Sequence, residues 1–285
     1  MQNAIKHIHS ELQGLYPETE IRSFCNLIVE KLTGFSRTEI TLNKNTVFSE
    51  KQHHRIESFI EKLKNFVPIQ YILGETEFYG LPFTVNDSVL IPRPETEELV
   101  AWIENENKKS TGLKILDIGT GSGCIAISLK SIFPNATIDA FDVSDNALKT
   151  ARLNALLNKL NVSFAEVDIL KDEELFDRWN IIVSNPPYIT EHEKRDISPN
   201  VLNFEPHLAL FVPDEDPLLF YRHIALFAYK HLFPGGKLYF EINREYGKEV
   251  IDLLIETGFH NVELRKDISG NDRMAKGELT QSSVY

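Results

Sequence analysis

Lys114-Ile115-Leu116-Asp117-Ile118-Gly119-Thr120-Gly121-Ser122-Gly123-Cys124 joins three signals in one run. Lys114 to Ile118 is short, apolar and β-branched, as expected of a strand buried on both faces of a parallel sheet. Glycines at 119, 121 and 123 make a turn, and the apolar periodicity from Cys124 to Phe133 predicts a helix. Strand, glycine turn and helix form a nucleotide-type site, because residues without a Cβ let backbone N–H groups and the helix start approach a ligand. Position 124 is Cys where a dinucleotide fold wants a third Gly or Ala, which disfavours a pyrophosphate ligand. Asp117, just ahead of the turn, would repel a phosphate and suits an ammonium group.

Downstream the pattern repeats with a polar residue at each strand end. Thr137 to Phe141 ends at Asp142, about 20 residues beyond the glycines, where an acid grips a ribose diol. Val162 to Val167 ends at Asp168 and Ile169, a pair suited to the amino edge and the face of an adenine. Ile181-Ile182-Val183-Ser184 stops at Asn185-Pro186-Pro187-Tyr188, since Pro cannot extend a ladder. Asn185 offers a side-chain carbonyl and Pro186 a backbone carbonyl, two acceptors on one edge that fit a planar NH2 group. Tyr188 offers a flat face for such a group. Each signal has a plainer reading: Asn-Pro starts turns, Tyr is often core, Asp142 suits a helix entry and Asp168 a turn. Their placement at successive strand ends is harder to explain that way.

Helices are expected from Ser144 to Asn158, Pro217 to Phe233 and Glu245 to Thr257, with strands at Lys237 to Ile242 and near Val262 and Met274. Pro94 opens a further helix carrying Leu99, Val100, Trp102 and Ile103, with Glu95 and Glu97 at its positive end. Seven strands with five alternating helices predict one doubly wound α/β sheet. Residues between Tyr188 and Pro213 read as a long irregular stretch, a lid or substrate rim.

The first segment is different. Ile5, Ile8, Leu12 and Leu15 recur at helical spacing, as do Ile21, Phe24, Ile28 and Leu32 before Gly34. Ser49 and Gln52 predict a capping box ahead of Ile56, Phe59, Ile60 and Leu63. Residues 1–74 thus form a small helical domain, a folding or docking module whose histidines (7, 9, 53 and 54) belong to solvated faces. Alternation and turn residues from Pro68 to Val85 read as a β-hairpin, with residues 75–92 as the linker and Val89-Leu90-Ile91 as a further short strand.

Composition narrows the partners. With 30 Lys plus Arg against 42 Asp plus Glu, the net charge of −12 opposes unaided association with a phosphate backbone. No direct nucleic-acid partner is expected. No stretch approaches the ~18 apolar residues of a membrane span, and the two cysteines, Cys25 and Cys124, lack metal-type spacing. A cytoplasmic monomer is expected.

Taken together, Asp117 to Gly123, Asp142 and Asn185 to Tyr188 resemble a class I methyltransferase that uses S-adenosyl-L-methionine and acts on a planar nitrogen. Gln70-Tyr71-Ile72-x-Gly74, Val89 through Glu97, Leu116 through Cys124 and Asp267-x-x-Gly270-x-Asp272-Arg273 narrow this to the glutamine-N5 methyltransferases of peptide chain release factors. The resemblance implies a Rossmann-like methyltransferase domain over residues 93–285, substrate docking by residues 1–74, and a class 1 release factor methylated at the glutamine of its Gly-Gly-Gln motif. Gly119, Thr120, Gly121, Ser122, Gly123, Asp142, Asp168, Ile169 and Asn185 would then bind the cofactor. Asn185, Pro186, Pro187 and Tyr188 would bind the substrate and serve catalysis, with Arg93 and Glu95 near the pocket mouth. Two rivals remain: a DNA adenine-N6 methyltransferase, which shares the Asn-Pro-Pro-Tyr type of signature, and a binding module that has lost turnover.

Overall fold

A computed structural model describes residues 1–171 and 177–280, which fall into two compact units. The first comprises Met1–Gly74 together with Ser198–Phe204. Its helices are α1 (Gln2–Leu12), α2 (Glu18–Thr33), α3 (Arg37–Leu42), α4 (Glu50–Lys64) and α5 (Ile69–Leu73). Ile8, Leu12, Ile28 and Leu63 are fully buried in its core, so each contributes roughly 1.5–3 kcal/mol. The box at Ser49 and Gln52 caps α4, and Gly34 ends α2 at φ 73, a left-handed conformation that glycine adopts without Cβ strain. Helix α3 was not foreseen, although Ser36 and Glu39 make an equivalent box. Helix α5 corrects the sequence reading: Ile69 to Leu73 does not extend the hairpin but winds one turn, closed by Gly74 at φ 74.

The second unit spans Glu75–Ile197 and Glu205–Tyr285. It opens with the antiparallel hairpin β1 (Glu75–Phe78) and β2 (Leu81–Thr84). Residues 85–93 then run without regular structure, so Val89 to Ile91 is no strand. Val89 and Ile91 are buried and Leu90 is partly exposed on the cleft wall, while Ile91 N–H donates to Glu205 Oε2 at 3.2 Å, a side-chain partner in place of a ladder.

After α6 (Pro94–Asn107) the chain alternates β3 (Lys114–Ile118), α7 (Cys124–Ile132), β4 (Thr137–Asp142), α8 (Asp145–Leu157), β5 (Ser163–Glu166) and β6 (Trp179–Ser184). The expected irregular stretch is partly built. It holds β7 (Ile189–Thr190), α9 (Pro199–Phe204) and β8 (Phe211–Val212), with β7 and β8 paired in parallel. Helix α10 (Leu219–His231), β9 (Leu232–Glu241), α11 (Gly247–Thr257), β10 (His260–Lys266) and β11 (Asp272–Glu278) complete the unit.

The seven-stranded sheet has the order β10-β11-β9-β6-β3-β4-β5, parallel except for β11, which runs antiparallel to both its neighbours. Successive side chains alternate between two cores. Ile115, Ile181, Val183 and Tyr239 face α6 and α7, whereas Leu116, Ile118, Ile182, Leu238 and Phe240 face α10 and α11. From β3 the chain proceeds to β4 and β5 on one side, then returns to β6 and β9 on the other. The crevice at that reversal, beyond the carboxyl ends of β3 and β6, is where an open α/β sheet receives its ligand.

Candidate active site

A cleft of roughly 1100 Å³, part of it open to solvent, lies at this place and is walled by second-unit residues only. The glycine turn forms one end of it. Gly119, Gly121 and Gly123 have φ of 73°, 54° and 81°, so all three adopt the conformation that penalises a Cβ. Their surroundings divide the labour. A Cβ at Gly119 or Gly121 would meet nothing within 4 Å, which leaves space beside the backbone for a ligand. A Cβ at Gly123 would come within 2.9 Å of Ile127 and 3.2 Å of Ala151, so that glycine serves the packing of α7 on α8.

Two acids hold the turn. Asp117 is fully buried and accepts from Thr120 Oγ1 at 2.6 Å and from Ala126 N–H at 3.2 Å, while its Oδ1 has no partner among the described residues. Burial pushes its carboxyl up to about 7, against the pull of those two donors. Contrary to the sequence expectation, Asp117 is not part of the cleft wall: it braces the loop from beneath. Asp142 does line the cleft, at the end of β4. Its Oδ2 accepts from Gly121 N–H at 2.8 Å and its Oδ1 from Ser144 N–H at 2.9 Å. Burial raises its pKa, partly offset by those N–H donors. A third N–H, that of Val143, also bonds this carboxylate, and with about four lone-pair directions it keeps room to accept from a hydroxyl.

Asp168 and Ile169 stand two and three residues past β5, both on the cleft wall. Asp168 Oδ2 pairs with Lys171 Nζ at 2.9 Å, which, with the N–H of Leu170, holds its carboxyl below the ordinary value. With Val143, Val167 and Ile169 beside the acids, this end offers an aliphatic slot rimmed by negative charge. Open glycine backbone, an acid with acceptor capacity facing the cleft and an apolar face together fit the sugar and base of S-adenosyl-L-methionine, and the surrounding carboxylates suit its positive charge.

The other end is built at the close of β6. Ser184 Oγ donates to Ile118 O at 2.7 Å, tying β6 to β3 where both strands end. Asn185, Pro186 and Pro187 then follow the cleft wall. Asn185 Nδ2 donates to Thr96 Oγ1 at 3.3 Å, and Thr96 Oγ1 donates to Glu241 Oε2 at 2.6 Å. No donor among the described residues takes Asn185 Oδ1. Tyr188, predicted to present a flat face, is not in the wall: its hydroxyl donates to Glu241 Oε1 at 3.1 Å and its ring packs on the α10 core. Burial pushes the Tyr188 hydroxyl pKa well up, so it stays a donor.

Thr96 and Glu241 were missed in the sequence. Glu241 carried a usable signal, an acid ending the apolar run Leu238-Tyr239-Phe240 as Asp142 ends β4; Thr96 carried none. Arg93 lines the cleft and forms an ion pair with Glu205, a buried side chain, which explains the one residue that the helix start left over. Glu95 does not line it. Off the cleft wall, Arg273 Nε donates to Asp267 Oδ2 at 3.2 Å and its Nη1 to Ile242 O at 3.3 Å. No group of His, Cys, Asp and Glu side chains arranged to hold a metal occurs among the described residues, and none of their helices is long and apolar enough to cross a membrane.

Residues 96–203 match the Methyltransferase small domain family and residues 3–74 the PrmC N-terminal domain family. A solved methyltransferase from Pyrococcus furiosus shares the fold, with a TM-score of 0.52 at 19% identity over 81% of this chain and 100% of that one. Release factor glutamine methyltransferase of Flavobacterium psychrophilum is 53% identical over 93% of this chain and 94% of its own length. The enzyme of the same name from Bacteroides thetaiotaomicron is 45% identical over 96% and 98%. With glycine turn, Asp142 and Asn-Pro-Pro edge gathered around one cleft, and with relatives matched over nearly their whole length, the chain belongs to the release factor glutamine methyltransferase family.

Proposed function

We propose that this protein transfers a methyl group from S-adenosyl-L-methionine to the side-chain amide nitrogen, N5, of the glutamine in the Gly-Gly-Gln motif of class 1 peptide chain release factors. The observation that carries the reading is the position of Asn185 and Pro186, which wall the same cleft as the glycine turn and Asp142. Acceptor and donor subsites thereby share one space. Gly119 to Ser122, Asp142, Asp168 and Ile169 hold the cofactor, which when bound supplies a methyl carbon made electrophilic by its sulfonium; Gly123, expected to bind it too, is off the cleft wall and serves packing instead.

An amide nitrogen is a poor nucleophile because its lone pair is delocalised into the carbonyl. Asn185 Oδ1 and the Pro186 carbonyl accept its two N–H groups and turn the nitrogen toward the incoming carbon, so that orientation supplies much of the rate. The prolines fix φ on both sides of this edge and keep it rigid. No carboxylate or imidazole among the described residues is hydrogen-bonded to Asn185. Glu241 is reached only through Thr96, and the proton leaves to water.

Docking of the release factor falls to the helical unit, Met1–Gly74, and the enzyme works as a cytoplasmic monomer. The curated relatives bear the release factor name, and the charge of −12 disfavours a DNA strand, so the adenine-N6 alternative is not retained. Incubating purified enzyme with a release factor and S-adenosyl-L-methionine should add one methyl group, located at the Gly-Gly-Gln glutamine by tandem mass spectrometry. Methylated DNA with an unmodified release factor would reverse the assignment.

A further inference from the structure

We infer that Glu241 is a positioning residue that acts through Thr96 to decide which end of the Asn185 amide faces the acceptor. The inference deepens, and rests on, the reading of a glutamine amide as acceptor. An asparagine carboxamide is nearly symmetrical in shape, so packing alone does not choose between presenting its oxygen and presenting its NH2. The wrong choice would set NH2 against NH2. Something must break the tie.

The chain of contacts does so. Glu241 is buried, and both its oxygens are accepting, from Tyr188 Oη at 3.1 Å and from Thr96 Oγ1 at 2.6 Å. The shorter distance lies in the range of a hydroxyl donating to a charged carboxylate. Thr96 has a single hydroxyl proton, and Glu241 takes it, so only lone pairs remain on the side facing Asn185. A lone pair there demands a donor, which is Nδ2, and Oδ1 is left for the cleft. Burial raises the Glu241 pKa, against the pull of the Thr96 and Tyr188 hydroxyls and of Arg273, which is itself held by Asp267; the two donated hydroxyls, both ending on its oxygens, are what make it an acceptor on each side. Residues 96, 185 and 241 thus form a polarity relay across α6, β6 and β9.

The test is a set of near-isosteric variants, assayed with a purified release factor and S-adenosyl-L-methionine carrying a labelled methyl group. In Glu241→Gln the Tyr188 hydroxyl, which donates to position 241, keeps the amide oxygen on its side, so the new NH2 faces and donates to Thr96, the Thr96 proton turns to position 185, and the Asn185 amide flips. Turnover should fall by roughly 100-fold, while cofactor affinity measured by titration and the melting temperature stay near wild type. Asn185→Asp alone places a carboxylate oxygen against the Thr96 lone pairs and should be severely impaired. Combined with Glu241→Gln, that carboxylate receives the freed Thr96 proton and keeps an acceptor toward the cleft, so the double variant should exceed Asn185→Asp by about tenfold.

A purely structural Glu241 would give no such recovery. Should Glu241→Gln fail to fold, Thr96→Ser, which keeps the hydroxyl, against Thr96→Val, which removes it, carries the same question: the inference requires the first active and the second impaired. Wild-type turnover in Glu241→Gln, a double variant no better than Asn185→Asp, or equal activity of the two Thr96 variants would overturn it. A wild-type enzyme that leaves the release factor unlabelled would overturn the reading beneath it, and the inference with it.

Discussion

The two ends of the cleft are made in opposite ways. The cofactor end is local: Asp117, Thr120 and the three glycines lie within seven residues, and Asp142 reaches Gly121 from the next strand in the chain. At the acceptor end, Asn185 depends on Thr96, 89 residues away, and Thr96 on Glu241, 145 residues away. Local sites are encoded by spacing and survive as motifs. Assembled sites exist only once β6 and β9 are neighbours in the sheet and the first turn of α6 brings Thr96 to their ends. A class I fold can therefore keep one cofactor end while the acceptor end is rebuilt from distant residues.

Asn185→Ala is the sharpest break between the two halves. It should lower methyl transfer by about 10²- to 10³-fold while S-adenosyl-L-methionine titrates as in wild type; a parallel loss of cofactor binding would merge the halves. Gly123→Ala attacks the local half through packing, combining a left-handed backbone with contacts to Ile127 and Ala151. Chemical denaturation should show a loss of about 2–4 kcal/mol. Gly121→Ala, facing open space, should lose less stability and more cofactor affinity.

Glu106 extends the comparison beyond the cleft, because it too is assembled from afar. Burial alone would raise its pKa, but donors from Lys276, Tyr239, Lys237 and Trp102 outweigh burial and hold it at about 2, below the ordinary 4.5. A depressed carboxyl contributes stability that is complete above pH 4.5 and is lost as pH falls through 2, since the unfolded chain takes up the proton first. Acid titration of the unfolding free energy should show a loss on the order of 2–3 kcal/mol across that window, absent in Glu106→Gln. Ser49→Ala, which removes a purely local cap from α4, should cost only about 1 kcal/mol by the same denaturation measurement.

The same division explains what the sequence made legible. The strands under the glycine turn and at Ile181 to Ser184 were readable because a parallel sheet buried on both faces demands continuous apolar runs. Ile69 to Leu73 misled because five apolar-rich residues between Pro68 and Gly74 satisfy a strand and a single helical turn equally well; the left-handed Gly74 decides for the turn. Val89 to Ile91 misled for a related reason, since its burial comes without a ladder partner. Tyr188 carried the right residue type for a ligand face, yet its hydroxyl is drawn to Glu241, a partner that no spacing announces. Arg93 was singled out correctly by elimination, but the buried Glu205 that it meets lies 112 residues on.

The short parallel ladder between Ile189–Thr190 and Phe211–Val212 acts as a collar on the excursion it encloses. Because the collar is fastened at its own neck, residues 195–203 of that excursion can be exchanged with little pull on the Asn-Pro-Pro edge just upstream, provided that Glu205, which holds Arg93 and Ile91 N–H, and the cleft-lining Pro206, Leu208 and Ala209 are kept. Grafting that excursion between relatives offers a route to altered protein selectivity with the chemistry left in place.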